Sequence, residues 1–177
     1  MYGDSTVMAL ITTKAATATS ATSINSTALP VGSLVQEIIS ERTTGITFNS
    51  GSYVDSGLEV TITPSYQNSK YVISLWASTS MNNSSTTTGH SYQIVRVVGG
   101  SATAIKIGDW QNYFNRNGFA SDYYPPFDVM VVDTPNTTNP ITYKMQGRLY
   151  GASNGQWVFE NNGGNHKHTI AVREIRQ

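Results

Sequence analysis

His166 and His168 stand on either side of Lys167 near the C-terminal end of the chain. In an extended segment, residues two apart project to the same side, so the pair could offer two imidazoles to one ion. Two ligands do not complete a metal site within a single chain, although a threefold assembly would gather six ring nitrogens about its axis. No aspartate or glutamate adjoins the motif, and the plainer account is two exposed histidines ahead of the last strand. The expectation is no metal and no cofactor, with His166 and His168 as the one candidate pair.

The other groups able to do chemistry are scattered. Asp55, Asp109, Asp122, Asp128 and Asp133 show no spacing that singles out two carboxylates for glycoside chemistry. His90 lies near Ser84, Ser85 and Ser91, but in a chain this rich in serine that proximity carries no weight. No G-x-S-x-G, H-E-x-x-H or glycine-rich phosphate loop occurs, and Gly99-Gly100 and Gly163-Gly164 serve turns. No catalytic residue is assigned, and the chain reads as non-enzymatic.

Contact chemistry is concentrated elsewhere. Trp110, Tyr113, Phe114, Phe119, Tyr123, Tyr124 and Phe127 fall within eighteen residues, WQNYFNRNGFASDYYPPF, with Arg116 among them. Large rings beside arginine are the composition of interface cores, and aromatic faces also stack on sugars. Three readings stay open for this stretch, expected to be a loop. It packs over one end of the domain, it joins subunits, or it meets a receptor or host surface glycan. Each is a use for a large apolar patch.

Composition narrows the class. The chain has 177 residues, no cysteine, and 11 basic residues against 11 acidic ones. One domain, or one domain with an arm, fits that length, and neither disulfides nor thiolate metal sites are available. A neutral chain is a poor ligand for nucleic acid, which needs clustered cations. Charged residues are 12%, against about 25% in ordinary domains, so Ser, Thr, Asn and Gln must supply the polar surface. No apolar run approaches the roughly 20 residues of a membrane helix, and no signal-peptide pattern opens the chain.

The elements read as strands. Leu58, Val60 and Ile62 alternate with Glu59, Thr61 and Thr63, the period of a half-buried strand that stops at Pro64. Tyr71, Ile73, Leu75 and Ala77 face one way, with Val72, Ser74 and Trp76 on the other side, making a hairpin or a sheet crossover with the preceding strand. Leu34 to Ser40 opens the globular part, and Thr43 to Phe48 pairs nearby. Met81 to Gly89 reads as an exposed polar tip. Tyr92 to Val98 and Ala104 to Ile107 pair across Gly99-Gly100. Phe127 to Val132 is apolar on both faces, which predicts an interior strand. Ile141, Tyr143, Met145 and Leu149 alternate with polar residues. Gln156 to Glu160 returns from a hairpin turn at Asn154-Gly155, and His168 to Ile175 closes the chain.

About ten strands without a helical period predict an all-β, antiparallel β-sandwich over residues 34–177; its strand order is expected to be jelly-roll-like, with an immunoglobulin-like order as the alternative. Residues 1–33 read as an extended N-terminal anchoring arm. From Thr12 to Ala28 the arm is almost entirely Ala, Ser and Thr. Val7, Leu10 and Ile11 are its apolar anchors, suited to strand addition on a neighbour.

The run Ser52 to Pro64, SYVDSGLEVTITP, followed by NSKYVISLWAS, resembles a unit of small virion proteins of marine tailed phages such as cyanophages. Ile94-Val95-Arg96, Val132 to Thr137, Thr142 to Gln146 and Thr169 to Ile175 are similar to later pieces of the same family, in order. The resemblance implies a virion structural protein of decoration or fibre type on the particle surface. It further implies a homotrimer that meets other virion proteins, capsid or tail, through its arm. A compact domain with no fibrous repeat suits capsid decoration or a short fibre piece. The rival from another class is a receptor- or carbohydrate-binding module of a tail fibre.

Overall fold

The computed structural model describes residues 29–83, 87–115, 124, 126–150, 155–160 and 166–177, with the backbone alone at 82–83, 87–89, 109–115, 150 and 155. Among these lie ten strands: β1 (Leu34–Arg42), β2 (Ile46–Phe48), β3 (Val54–Ile62), β4 (Lys70–Asn83), β5 (Thr87–Val98), β6 (Ser101–Asn115), β7 (Pro126–Asp133), β8 (Ile141–Tyr150), β9 (Gly155–Phe159) and β10 (His168–Ile175).

Their antiparallel pairings nest. β5 pairs with β6, β4 with β7, β3 with β8, β2 with β9, and β1 with β10. The chain is thus one long hairpin whose arms run side by side from the β5–β6 turn back to the two ends. At that turn Gly99 and Gly100 both take positive φ, 56° and 82°, the geometry that matches the natural twist of two strands. Further pairings of β4 with β10 and β9, and of β5 with β8, roll the hairpin into two sheets. One runs β1-β10-β4, with β7 against the first half of β4 and β9-β2 against its second half; the other runs β3-β8-β5-β6. This nested double-sheet order is a jelly roll, the first of the two strand orders expected.

The core lies between the sheets and obeys the alternation read from sequence. Leu58, Val60 and Ile62 of β3 are buried, as are Tyr71, Ile73, Leu75 and Ala77 of β4 and Ile141, Tyr143, Met145 and Leu149 of β8. Burying each large side chain stabilises the fold by about 1.5–3 kcal/mol. The same core continues into a group of rings from β2, β7 and β9. There Phe48 lies 4.8 Å from Trp157, Trp157 5.3 Å from Phe127, and Phe159 edge-on to Phe48 at 5.5 Å. Gly147 faces this cluster because a Cβ there would come within 2.7 Å of Trp157 and 2.9 Å of Phe48.

Of the two connections expected between β3 and β4, the structure has the crossover, since they belong to different sheets. Four expectations change. β2 and β9 pair with each other and β9 with β4, so Gly155 to Phe159 does not return along β8. The polar stretch after Met81 is mostly strand, because Thr-rich sequence suits a pleated surface. β6 extends to Asn115, well beyond Ile107. β7 is not interior: Phe127 and Val129 are buried, but Met130 and Val132 face outward and are exposed.

Candidate interaction surface

Three carboxylates, Glu174, Asp133 and Asp55, are engaged in holding the fold. Glu174 of β10 is fully buried. It accepts from Gln36 Nε2 at 2.6 Å, Ser69 Oγ at 2.6 Å, and the backbone N–H groups of Ser65 at 2.9 Å and Tyr66 at 3.1 Å. Burial opposes its charge, but these donors outweigh that and hold the carboxyl below its usual range. The latch ties the β3–β4 crossover to the last strand.

At one end of the sandwich Asp133 of β7 accepts from two side chains of the other sheet. Arg96 Nη1 of β5 donates at 2.9 and 3.1 Å, and the Tyr143 hydroxyl of β8 at 2.9 Å. Burial, and then the Asp133 charge, push the Tyr143 hydroxyl pKa up. On the outer side of β3 and β8, Lys144 donates to Asp55 at 2.9 Å and Gln146 at 2.5 Å. Burial raises the Asp55 carboxyl pKa and these partners lower it, leaving it below the ordinary value. Ser56 Oγ donates to Met145 O at 2.8 Å, and Gly57 takes φ 71° at the bulge where β3 shifts register.

These latches join the pieces on which the phage-protein resemblance rests. Asp55 and Ser56 meet Lys144 to Gln146, Arg96 meets Asp133 and Tyr143, and Glu174 meets the loop after Pro64. The motif residues therefore read as fold determinants.

His90 and His168 are both fully buried. His90 stacks on Trp157 at 4.0 Å and 12°, and burial alone drives its pKa down to about 3. His168 lies inside the domain with its ring 5.1 Å from Phe159, and burial lowers its pKa too. The expected exposed pair His166–His168 is therefore corrected at His168, because β10 turns that side chain toward the ring cluster. His166 is half-buried. Among the described residues no group of three metal-ligating side chains occurs.

The described start of the aromatic segment, up to Asn115, is strand rather than the loop its sequence suggested. Trp110, Tyr113 and Phe114 lie on β6, with Phe114 opposite Thr88 of β5; aromatic residues suit strands, and this run continues the hairpin. Phe119 and Tyr123 lie outside the described residues, as do the arm anchors Val7, Leu10 and Ile11. Tyr124 is 64% exposed, whereas Phe127 belongs to the core. The structure thus separates Phe127 from Tyr124 although only two residues lie between them in sequence.

A different surface stands out. The outward face of β1-β10-β4-β7 carries Ile39, Trp76, Met130 and Val132 at 56%, 49%, 69% and 54% exposure. The register arranges it in rows across the four strands. Glu37, Arg173, Val72 and Val132 make one, Ile39, Ala171, Ser74 and Met130 the next, and Glu41, Thr169, Trp76 and Asp128 the third. Glu37 pairs with Arg173 and Glu41 with Lys167, both at 2.7 Å. The sequence signal for this face was the second set of positions on β4, Val72, Ser74 and Trp76. Which strands would flank them could not be read from alternation.

No protein-family model matches the chain, and no curated protein is detectably similar to it in sequence. Solved structures offer distant likenesses. Over 81% of its length the chain is similar to VP2 of infectious bursal disease virus in a subviral particle, at 12% identity and TM-score 0.42. The Gx strain structure of that virus gives 81%, 12% and 0.36. The insecticidal delta-endotoxin Cry8Ea1 of Bacillus thuringiensis gives 74%, 19% and 0.31. The chain spans 34%, 37% and 19% of those chains respectively. At such scores the likenesses carry no inference about its role; the all-β, two-sheet fold stands on its own strand pairing.

Proposed function

We propose that this chain is a non-enzymatic structural component of a tailed-phage virion, displayed on the particle surface as a capsid decoration or a short fibre piece. The observation that carries the reading is a division of labour among the described side chains. Glu174, Asp133 and Asp55 are engaged in latches, while four large apolar side chains stand out on one sheet face. Such a surface is built for contact with other protein. The sequence resemblance supplies the virion setting. In this reading the copies form a homotrimer through the segment around Trp110, Tyr113, Phe114 and Tyr124. Residues 1–33 dock on neighbouring virion proteins through Val7, Leu10 and Ile11. A host-glycan or receptor role is the second reading, favoured by the exposure of Tyr124.

Deleting residues 1–28 should leave a soluble domain that melts cooperatively but no longer joins the particle. Occupancy is measured by adding the truncated protein to particles that lack the native copy. Normal occupancy would show that the globular part does the docking. Adhesion of decorated but not bare particles to host glycans would favour the second reading.

A further inference from the structure

We infer that β2 and β9 form a flap that opens on acidification, lifting from the second half of β4 while the rest of the sandwich stays folded. The inference goes beyond the virion reading and stands independently of it.

Two buried histidines grip the rings of β9. His90 of β5 stacks on Trp157 at 4.0 Å, and His168 of β10 lies 5.1 Å from Phe159. Both histidines are fully buried. Phe48 of β2 closes over the same rings, 4.8 Å from Trp157 and 5.5 Å from Phe159. The histidines thus belong to the body of the sandwich, and rings that cover them belong to the flap. Among the described residues neither ring nitrogen of His90 has a hydrogen-bond partner, and neither does Trp157 Nε1. A charged imidazole buried this way is costly, and lifting β9 returns these atoms to water.

Few backbone bonds hold the flap. β2 has three residues and β9 five. β2 pairs with β9, which reaches the body through Thr79 to Asn83 of β4. The Glu160 N–H donates to Ser78 O at 2.9 Å just beyond. At neutral pH the burial of Phe48, Trp157 and Phe159 keeps it shut; short elements of this kind open before the body does.

No described charge compensates a proton on His90. Gln111 of β6 and Leu149 of β8 stand opposite it. Asp128 of β7 is exposed, and Arg148 of β8 lies over the Tyr53 ring at 4.6 Å. Tyr92 on its own strand stays neutral, because burial raises that hydroxyl. Burial alone takes the His90 pKa from 6.5 to about 3. At His168 burial is again the largest influence and the pKa is lowered. Arg42, opposite it on β1, and His166 also oppose its proton, whereas Glu160 favours it. Both rings are therefore neutral while the flap is shut and take up protons once it opens. The shut state is favoured above 6.5 and loses ground as pH falls. From pH 8 to pH 5, His90 alone makes opening about 30-fold more frequent, and His168 adds to it.

Hydrogen exchange on the full-length protein at pH 8 and pH 5, corrected for intrinsic rates and repeated in low urea, reads opening segment by segment. Amides of 46–48 and 156–159 should exchange through an opening of small urea dependence, about 30-fold more frequent at pH 5. Amides of β3 and β8 should exchange only with global unfolding, which urea promotes steeply. The acid rise at the flap should vanish in His90→Leu/His168→Leu. Flap amides that exchange only with the global transition at both pH values overturn the inference. So does an opening equally frequent at pH 8 and pH 5, or an acid rise that survives in the double variant. If that variant does not fold, exchange in the unaltered protein decides by itself.

Discussion

Acidifying the protein from pH 8 to pH 5 should cost it about 2 kcal/mol through His90 alone. The ring is fully buried, stacks on Trp157 and lies edge-on to Phe127 at 6.0 Å. Burial is the sole cause of its displacement from 6.5 down to about 3. The unfolded chain therefore takes up a proton at His90 below 6.5, while the folded chain refuses it until near 3. Stability from this residue is intact above 6.5, falls as pH drops through that window, and levels off near 3. At pH 5 the gap is one and a half units, or about 2 kcal/mol at 1.36 kcal/mol per unit. Against a total stability of roughly 5–15 kcal/mol, the loss is measurable.

The assay is urea unfolding followed by far-ultraviolet circular dichroism at both pH values, for the protein and for His90→Leu, which cannot titrate. Carboxylates and the other histidines contribute equally to both proteins, so the difference between them isolates His90. That difference should move by about 2 kcal/mol in favour of the variant on going to pH 5. A difference that stays constant would refute the reasoning and mean that His90 has a polar partner in solution.

Three further outcomes are expected. Glu174→Ala strands the N–H groups of Ser65 and Tyr66 and should cost about 3 kcal/mol at neutral pH. Because the folded carboxyl titrates below its ordinary 4.5, that cost is complete above 4.5 and shrinks as pH falls through it, as parallel urea titrations would show. Asp133→Asn weakens the Arg96 and Tyr143 bonds between the sheets and should cost about 1–3 kcal/mol, read as a lower urea midpoint with unchanged slope. Gly147→Ala drives a methyl group against Trp157 and Phe48 and should cost about 1–3 kcal/mol by overpacking, with altered near-ultraviolet signal from the rings.

Alternation alone determined much of this protein. Leu58-Val60-Ile62, Tyr71 to Ala77 and Ile141 to Leu149 declared their buried faces, because a strand's period of two is written in the local order of residues. Proline and paired glycines marked where strands stop. From these followed the all-β class and the bounds of β8 and β10. Pairing between distant strands decided the rest. Nothing local in Gln156 to Phe159 says that it leaves β8 for β4, or that β7 lies beside β4 with Met130 outward. Both depend on how the nested hairpin rolls. The same rolling turned His168 inward and separated Phe127 from Tyr124. It also joined Ile39, Trp76, Met130 and Val132 into one face, from strands up to a hundred residues apart in the chain. A sheet surface is a cross-strand property, and its composition is set by register that no single strand contains.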